Sequence, residues 1–264
     1  MEHGLGPFVI INGDDLGGSP IVNRAIVASL TKGFITSATI MANMPAFGEA
    51  CDMILEEGLQ DRVGVHLTLT QGWPLSDQVR GLPRFCAASG EFKARQGTRW
   101  RLTAEEARAI ESEFDAQIDA LIARGILPSH LDSHHHVHTQ WPMAGIVIRV
   151  AHRRQIDAVR LSRNCGGGIG PLKSWYKAAF NARLVREGLA PTGHFGSAQD
   201  VAALTRFGGA IEIMTHPALG DGELLDSTGG SRLEDIAARW TQIGTLVSYR
   251  ELGETIRATT GGSE

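Results

Sequence analysis

The chain has 264 residues, 42% of them hydrophobic and 20% charged, with 32 glycines and a net charge of −4. That is enough chain for one large core and too little for two full domains, in a composition typical of folded globular proteins. No basic block provides the footprint of a nucleic-acid binder, and no window nears the ~18 apolar residues of a membrane span. Met1-Glu2-His3-Gly4 lacks the positive region of a signal peptide, and Cys51, Cys86 and Cys165 are odd in number and widely spaced. These features predict a cytoplasmic protein with reduced cysteines.

Phe8-Val9-Ile10-Ile11-Asn12 is a short apolar run that ends in Gly13-Asp14-Asp15-Leu16-Gly17, so a buried strand delivers two adjacent acids into a loop. Ser19-Pro20 then supplies an N-cap and a first-turn proline for a helix running through Ile21, Ala25, Ile26 and Leu30 to Gly33. The unit recurs, with a strand at 36–41, a helix at 46–57 and a third strand at 62–70. In that third strand His66 shares a face with Gly64 and Thr68, opposite Val63, Val65, Leu67 and Leu69. Taken alone, such a histidine reads as a core residue.

Residues 71–102, rich in glycine and proline and weakly periodic, predict a long surface excursion. Loops of that length are often lids or binding loops, a solvated insertion being the plain alternative. Thr103 and Glu106 form a capping box for a helix that carries Ala107, Ile110, Phe114, Ile118 and Leu121 on one face as far as Gly125. Beyond it the pattern predicts strands at 127–133, 158–162, 210–217 and 245–248, and helices at 141–154, 172–187, 198–207, 231–243 and 251–258. The glycine run at 166–170 lacks the spacing of a dinucleotide-binding loop. Strands alternating with helices define an α/β fold with a mainly parallel sheet in a single domain spanning 1–264, of a size that suits a barrel; an open doubly wound sheet is the alternative.

Half of the ten histidines fall between His130 and His138, in Ser-His-Leu-Asp-Ser-His-His-His-Val-His. The run is internal and interrupted, unlike a purification tag, and such tracts point to metal. In parallel α/β folds the reactive residues gather where strands end, and Asp14, Asp15, His66, the 134–138 run and His216 all lie at or near predicted strand ends. Their wide separation matches no compact zinc motif, so the fold must assemble the site. Of two adjacent carboxylates, one can bind metal while the other faces a water as base; the plain alternative is a solvated acidic turn. An extended backbone would put Asp132, His134, His136 and His138 on one face, whereas a helical turn would align His134 with His138. Asp132 is placed to orient an imidazole as a hydrogen-bond acceptor. One carboxylate with two imidazoles leaves open coordination positions, as in catalytic metal sites.

These motifs resemble a known family. Asn12-Gly13-Asp14-Asp15-Leu16-Gly17 resembles the opening motif of the YdjC-like carbohydrate deacetylases. The segments 64–70, 130–138 and 212–217 resemble the later motifs, in the same order, over about residues 8 to 250. The likeness is greatest to the chitooligosaccharide (diacetylchitobiose) deacetylase branch. The resemblance implies a deformed (β/α) barrel, one divalent metal ion and hydrolysis of an N-acetyl group from an amino sugar or chitooligosaccharide. It assigns Asp15, His66 and His134 as metal ligands and Asp14 as catalytic base, and it points to Mg²⁺, whereas mixed nitrogen and oxygen ligands suit Zn²⁺, Mn²⁺ or Co²⁺. The departures at Gly13, Leu16 and Gly18-Ser19-Pro20 flank the acids without replacing them.

Within that scheme Asp132 stands behind His134. His216, ending a strand on the catalytic face, is the first candidate to protonate the leaving amine, with His136 and His138 as rivals. Arg160 is a candidate to bind substrate, with a partly buried salt bridge as the other explanation. The partner expected is an N-acetylated sugar, with no nucleic acid or membrane, and a homodimer is left open. Two other classes use similar ligands: a metal-dependent phosphoesterase, which favours a second metal, and a non-catalytic sugar-binding protein that retains its metal.

Overall fold

β1 (Phe8–Leu16) is the spine of the sheet: Val9, Ile10 and Ile11 are fully buried, as expected of a central parallel strand covered on both faces. In the computed structural model, which describes residues 7–94, 101–168 and 170–260, β1 pairs in parallel with β2 (Ser37–Ile40) on one side and with β6 (Ala210–Thr215) on the other. β6 runs beside it from Phe8↔Ala210 to Gly13↔Thr215. On the opposite edge β2 takes the C-terminal half of β1, and the two-residue β9 (Thr245–Leu246) takes Phe8 and Val9. The sheet continues through β3 (Val63–Leu67) to β4 (Leu131–Ser133) at one edge and β5 (His194–Ser197) at the other.

The sheet curls, and the segment 158–165 spans the gap between its edges. The Leu131 and Arg160 amides bond the carbonyls of Ala158 and Leu131, while the amides of Asn164 and Cys165 reach the carbonyl of Phe195 in β5. The result is a deformed (β/α) barrel with parallel strands. Around it lie α1 (Pro20–Thr31), α2 (Phe47–Glu56), a short α3 (Asp77–Arg80), α4 (Ala104–Ala123), α5 (Trp141–Arg153), α6 (Pro171–Arg186), α7 (Leu233–Thr241) and α8 (Tyr249–Thr260). Ser19 and Pro20 open α1, and Thr103 and Glu106 make the reciprocal capping box of α4, whose Ile110, Phe114, Ile118 and Leu121 are buried. No described helix is long and apolar enough to cross a membrane.

Several elements differ from the sequence expectation. No helix forms at 198–207: Asp200 accepts from the Ser197 amide and hydroxyl, and the Ser197 hydroxyl accepts from the Asp200 amide. Such local side-chain bonds offer the backbone an alternative to helix. The segment 158–162 makes a single bridge, Leu131↔Val159, because the Val159 amide turns away to the carbonyl of Leu189. The strand predicted from 127 begins only at Leu131.

An antiparallel hairpin of β7 (Pro217–Gly220) and β8 (Glu223–Asp226) was not expected. Its two-residue loop is Asp221-Gly222, both at positive φ, the sequence such tight turns favour. The predicted excursion is partly internal, since it delivers Val79, Phe85, Cys86 and Phe92 to the main core. Its residues 95–100, like Met1 to Gly4, lie outside the described residues.

β3 and β4 approach closely because residue 64 has no side chain. A Cβ there would lie 2.5 Å from both the Nδ1 and the carbonyl oxygen of buried His130, whose ring stacks on Tyr249 with centroids 3.8 Å apart. Gly64→Ala is therefore expected to lower unfolding free energy by about 1–3 kcal/mol through overpacking. Urea titration checks this, and an unchanged midpoint would contradict it.

Candidate active site

The strand ends converge on one guanidinium. Arg160, fully buried, makes five contacts with carboxylate oxygens, three of them hydrogen bonds. It grips both oxygens of Asp14 at 2.7 Å, Asp132 at 2.6 Å, and Glu212 through Nε at 2.8 Å and Nη2 at 2.7 Å. The Phe195 ring lies 5.0 Å away as a cation–π partner, and the Tyr249 hydroxyl donates to the remaining Glu212 oxygen. Arg160 thus ties β1, β4 and β6 together below the mouth of the barrel and has no exposed surface to offer substrate.

The two adjacent aspartates separate because the backbone turns between them. Asp15 sits at φ 72°, in the left-handed region that Asp tolerates better than most residues, and the β1–β2 register shifts between Gly13 and Leu16. Asp14 therefore points inward, where Arg160 and the Asn12 amide hold it. Burial alone would raise the pKa of Asp14, but Arg160 outweighs burial and keeps it well below the carboxylate range. Asp15 stays one-third exposed, its Oδ1 3.2 Å from His66 Nε2. Gly13 has its own reason: a Cβ there would come within 2.7 Å of Ile35 Cδ1 and 3.1 Å of Pro217 Cγ.

His66 is held from behind. Parallel register sets it beside Asp132, whose Oδ1 lies 2.7 Å from His66 Nδ1, and the Thr39 hydroxyl adds a contact at 3.1 Å while donating to Asp132 Oδ2. This corrects the expectation that Asp132 stands behind His134: strand register, not nearness in the chain, chooses its imidazole. Burial works against a charged His66, yet Asp132 outweighs it and the pKa rises to about 10. His134 is held instead by Thr70, whose hydroxyl lies 2.8 Å from Nδ1. Burial and the His66 charge push the His134 pKa down to about 4.

The histidine run is neither extended nor α-helical. It forms a 3₁₀ stretch, His134–Thr139, in which His135 and His136 both sit at φ 52°. The kink scatters the rings. His135 is exposed and stacks on His134; His136 faces Phe195, its pKa pushed down to about 3 by burial and Arg160. His138 is fully buried between the Ser133 hydroxyl and the Arg160 carbonyl, both nitrogens engaged, so it braces Arg160 and is closed to substrate. Across the mouth, His216 follows β6 with its Nδ1 3.0 Å from the Thr228 hydroxyl.

Asp14, His66 and Asp132 form a buried group whose ligand atoms all lie within 4.8 Å of one another, and such a group could hold a metal ion. Arg160 already fills Asp14 and reaches Asp132, however, and a cation among them would face that guanidinium. The side of His66 turned to Asp15 is different. Asp15 Oδ1 is buried without a hydrogen bond, and its 3.2 Å from Nε2 is the separation of two ligands each about 2.1 Å from a shared ion.

The profile of the YdjC-like proteins matches residues 8–251. The chain belongs to this family. Among YdjC-like relatives, a carbohydrate deacetylase of Halalkalibacterium halodurans is 34% identical over 80% of this chain and 84% of its own length. Another, of Geobacillus stearothermophilus, is 31% identical over 92% and 97%. A solved Enterococcus faecalis structure described as a cellobiose-phosphate cleavage protein superposes with a TM-score of 0.73 at 22% identity, covering 94% of this chain and 99% of the other, and so shares the fold.

Of the groups that shape this YdjC-like site, Asn12, Thr39, Thr70, Glu212, Tyr249, Asp226 and Thr228 were not singled out from sequence. Glu212 alone carried a clear signal, as a lone charge in an apolar strand that requires a buried cation.

The pKa shifts set a pH dependence for the metal-free protein. His66 has a folded pKa above its unfolded 6.5, so its stabilisation is complete below 6.5 and is lost as pH rises toward about 10. His130, His134, His136 and His138 are buried with pKa values below 6.5, so their contribution is lost as pH falls below 6.5. The depressed carboxylates Asp14 and Asp15 add to that acid loss below their unfolded value of 3.8. Chelated protein should therefore melt highest near pH 6.5, and His66→Gln should flatten the alkaline limb alone. Melting points that climb from pH 7 to 10 would refute the assignment.

Proposed function

We propose that this chain is a divalent-metal-dependent hydrolase that removes an N-acetyl group from an amino sugar or chitooligosaccharide. The observation that carries the proposal is the pair formed by Asp15 Oδ1 and His66 Nε2, 3.2 Å apart, next to a second aspartate locked as an anion by Arg160. Asp15, His66 and His134 would hold the ion, and Asp132 and Thr70 would orient the two imidazoles. The deacetylase relatives support the amide of an N-acetylated sugar as the bond cleaved. The ion would supply Lewis-acid polarisation of the acetyl carbonyl and acidify a bound water.

The chain's own residues do the rest. Asp14, ionised throughout the working pH range, aligns the attacking water and accepts its proton as the new C–O bond forms. Arg160 keeps that carboxylate fixed and charged. His216, across the mouth, supplies the proton that the departing amine nitrogen needs as the C–N bond breaks. Arg160 occupies Asp14 and reaches Asp132, so the neighbouring carboxylates are not free for the second ion that a two-metal phosphoesterase favours.

Acetate release from N-acetylated mono- and oligosaccharides should vanish with chelator and return on adding Mg²⁺, Zn²⁺ or Mn²⁺. Asp14→Asn should keep the ion, measured by metal analysis, and lose roughly 10²–10⁴-fold in kcat. His134→Ala should lose both ion and turnover. An Asp14→Asn enzyme of near-normal rate would remove the base assignment.

A further inference from the structure

The hairpin that follows β6 clamps His216 at three points. The His216 amide donates to Asp226 Oδ1 at 2.9 Å, its carbonyl accepts from the Ser227 amide at 2.9 Å, and its Nδ1 meets the Thr228 hydroxyl at 3.0 Å. Asp226 is fully buried at the end of β8 and sets the turn that presents Thr228: the same Oδ1 lies 3.4 Å from the Thr228 amide, and its own carbonyl accepts from the Gly230 amide. At the other end Pro217, paired with Asp226 in the hairpin, presses on Gly13 beside Asp14. The hairpin therefore spaces His216 from the Asp14 loop and dictates which ring nitrogen is free.

We infer that Thr228, anchored through Asp226, is the positioning residue that holds His216 with Nε2 turned to the leaving nitrogen. With Nδ1 occupied, only Nε2 can serve the reaction. A hydroxyl suits this task because it can accept from Nδ1–H or donate to bare Nδ1, so it bonds the ring in either protonation state. In the step itself the acetyl C–N bond breaks, its electron pair stays on nitrogen, and the Nε2 proton moves to that nitrogen. The neutral ring keeps Nδ1–H on the Thr228 oxygen. Asp226 acts on the backbone and Thr228 on the ring; neither touches substrate.

The kinetic arm of the test rests on the deacetylase reading; the spectroscopic arm does not. Thr228→Val should lower kcat for acetate release by roughly tenfold with KM within about twofold, and Thr228→Ser should recover most of it, as expected when an acid is present but misaligned. Thr228 is exposed, so these variants should keep the wild-type melting temperature, and Thr228→Ala provides a second hydroxyl-free variant. In ¹⁵N-histidine NMR of wild type the His216 Nδ1 shift should report a hydrogen-bonded nitrogen, and in Thr228→Val a nitrogen without that bond.

Unchanged kcat in Thr228→Val, a loss that serine does not recover, a change confined to KM, or unaltered ring ¹⁵N shifts would each overturn the inference. A wild-type enzyme that releases no acetate would remove the deacetylase reading alone, and the ring shifts would still decide the role of Thr228.

Discussion

Everything near the mouth of the barrel depends on burying one guanidinium among three carboxylates. A charge taken out of water costs several kcal/mol unless its partners and hydrogen bonds restore what is lost, and removing one partner of such a cluster typically costs about 3–5 kcal/mol. Arg160 meets the condition with hydrogen bonds to Asp14 and Glu212 and a further ion pair to Asp132. Its partners arrive on β1, β4 and β6, so the cluster holds strand ends that sheet hydrogen bonds alone leave free to splay. His138, a candidate proton donor from its place in the histidine run, and Phe195 serve as its backing.

Chemistry and architecture share the same side chains here. Asp132 is simultaneously a counter-ion of Arg160 and the partner that aims His66, so the charge balance of the core and the direction of the His66 ring are not independent. Glu212 links the cluster to Tyr249 at the start of α8, and Tyr249 stacks on His130, which fits only because position 64 is glycine. A disturbance at the closed end of the barrel thus has a contiguous packed route to the carboxylates at its mouth.

Much of this was legible in the chain. Periodicity and end signals located β1, α1 and α4, because a buried apolar run, a capping serine with proline and a capping box act locally. Local signals fall short where distant or side-chain bonds decide. Composition favoured a helix at 198–207, but the Ser197–Asp200 bonds stop it. Asp221-Gly222, between Ala218-Leu219 and Leu224-Leu225, carries the signal of a hairpin turn. The histidine run places Asp132 beside His134, whereas its partner, His66, lies on the adjacent strand. The left-handed pair His135 and His136 has no compositional mark, since neither residue is glycine or asparagine. The charges in Val159-Arg160-Leu161 and Ile211-Glu212-Ile213 were visible, but not that they meet each other.

The left-handed residue at position 15 has an evolutionary implication. Asp14 and Asp15 have the same side chain, yet the kink between them gives each a different neighbourhood, one facing Arg160 and one facing His66. Their non-equivalence resides in the backbone, so neither can act as a spare copy of the other. A lineage that lost Asp14 could recover a carboxylate at that spot only by reversion or by growing one from another strand end. A duplicated acid that looks like redundancy is, in this loop, two unique parts.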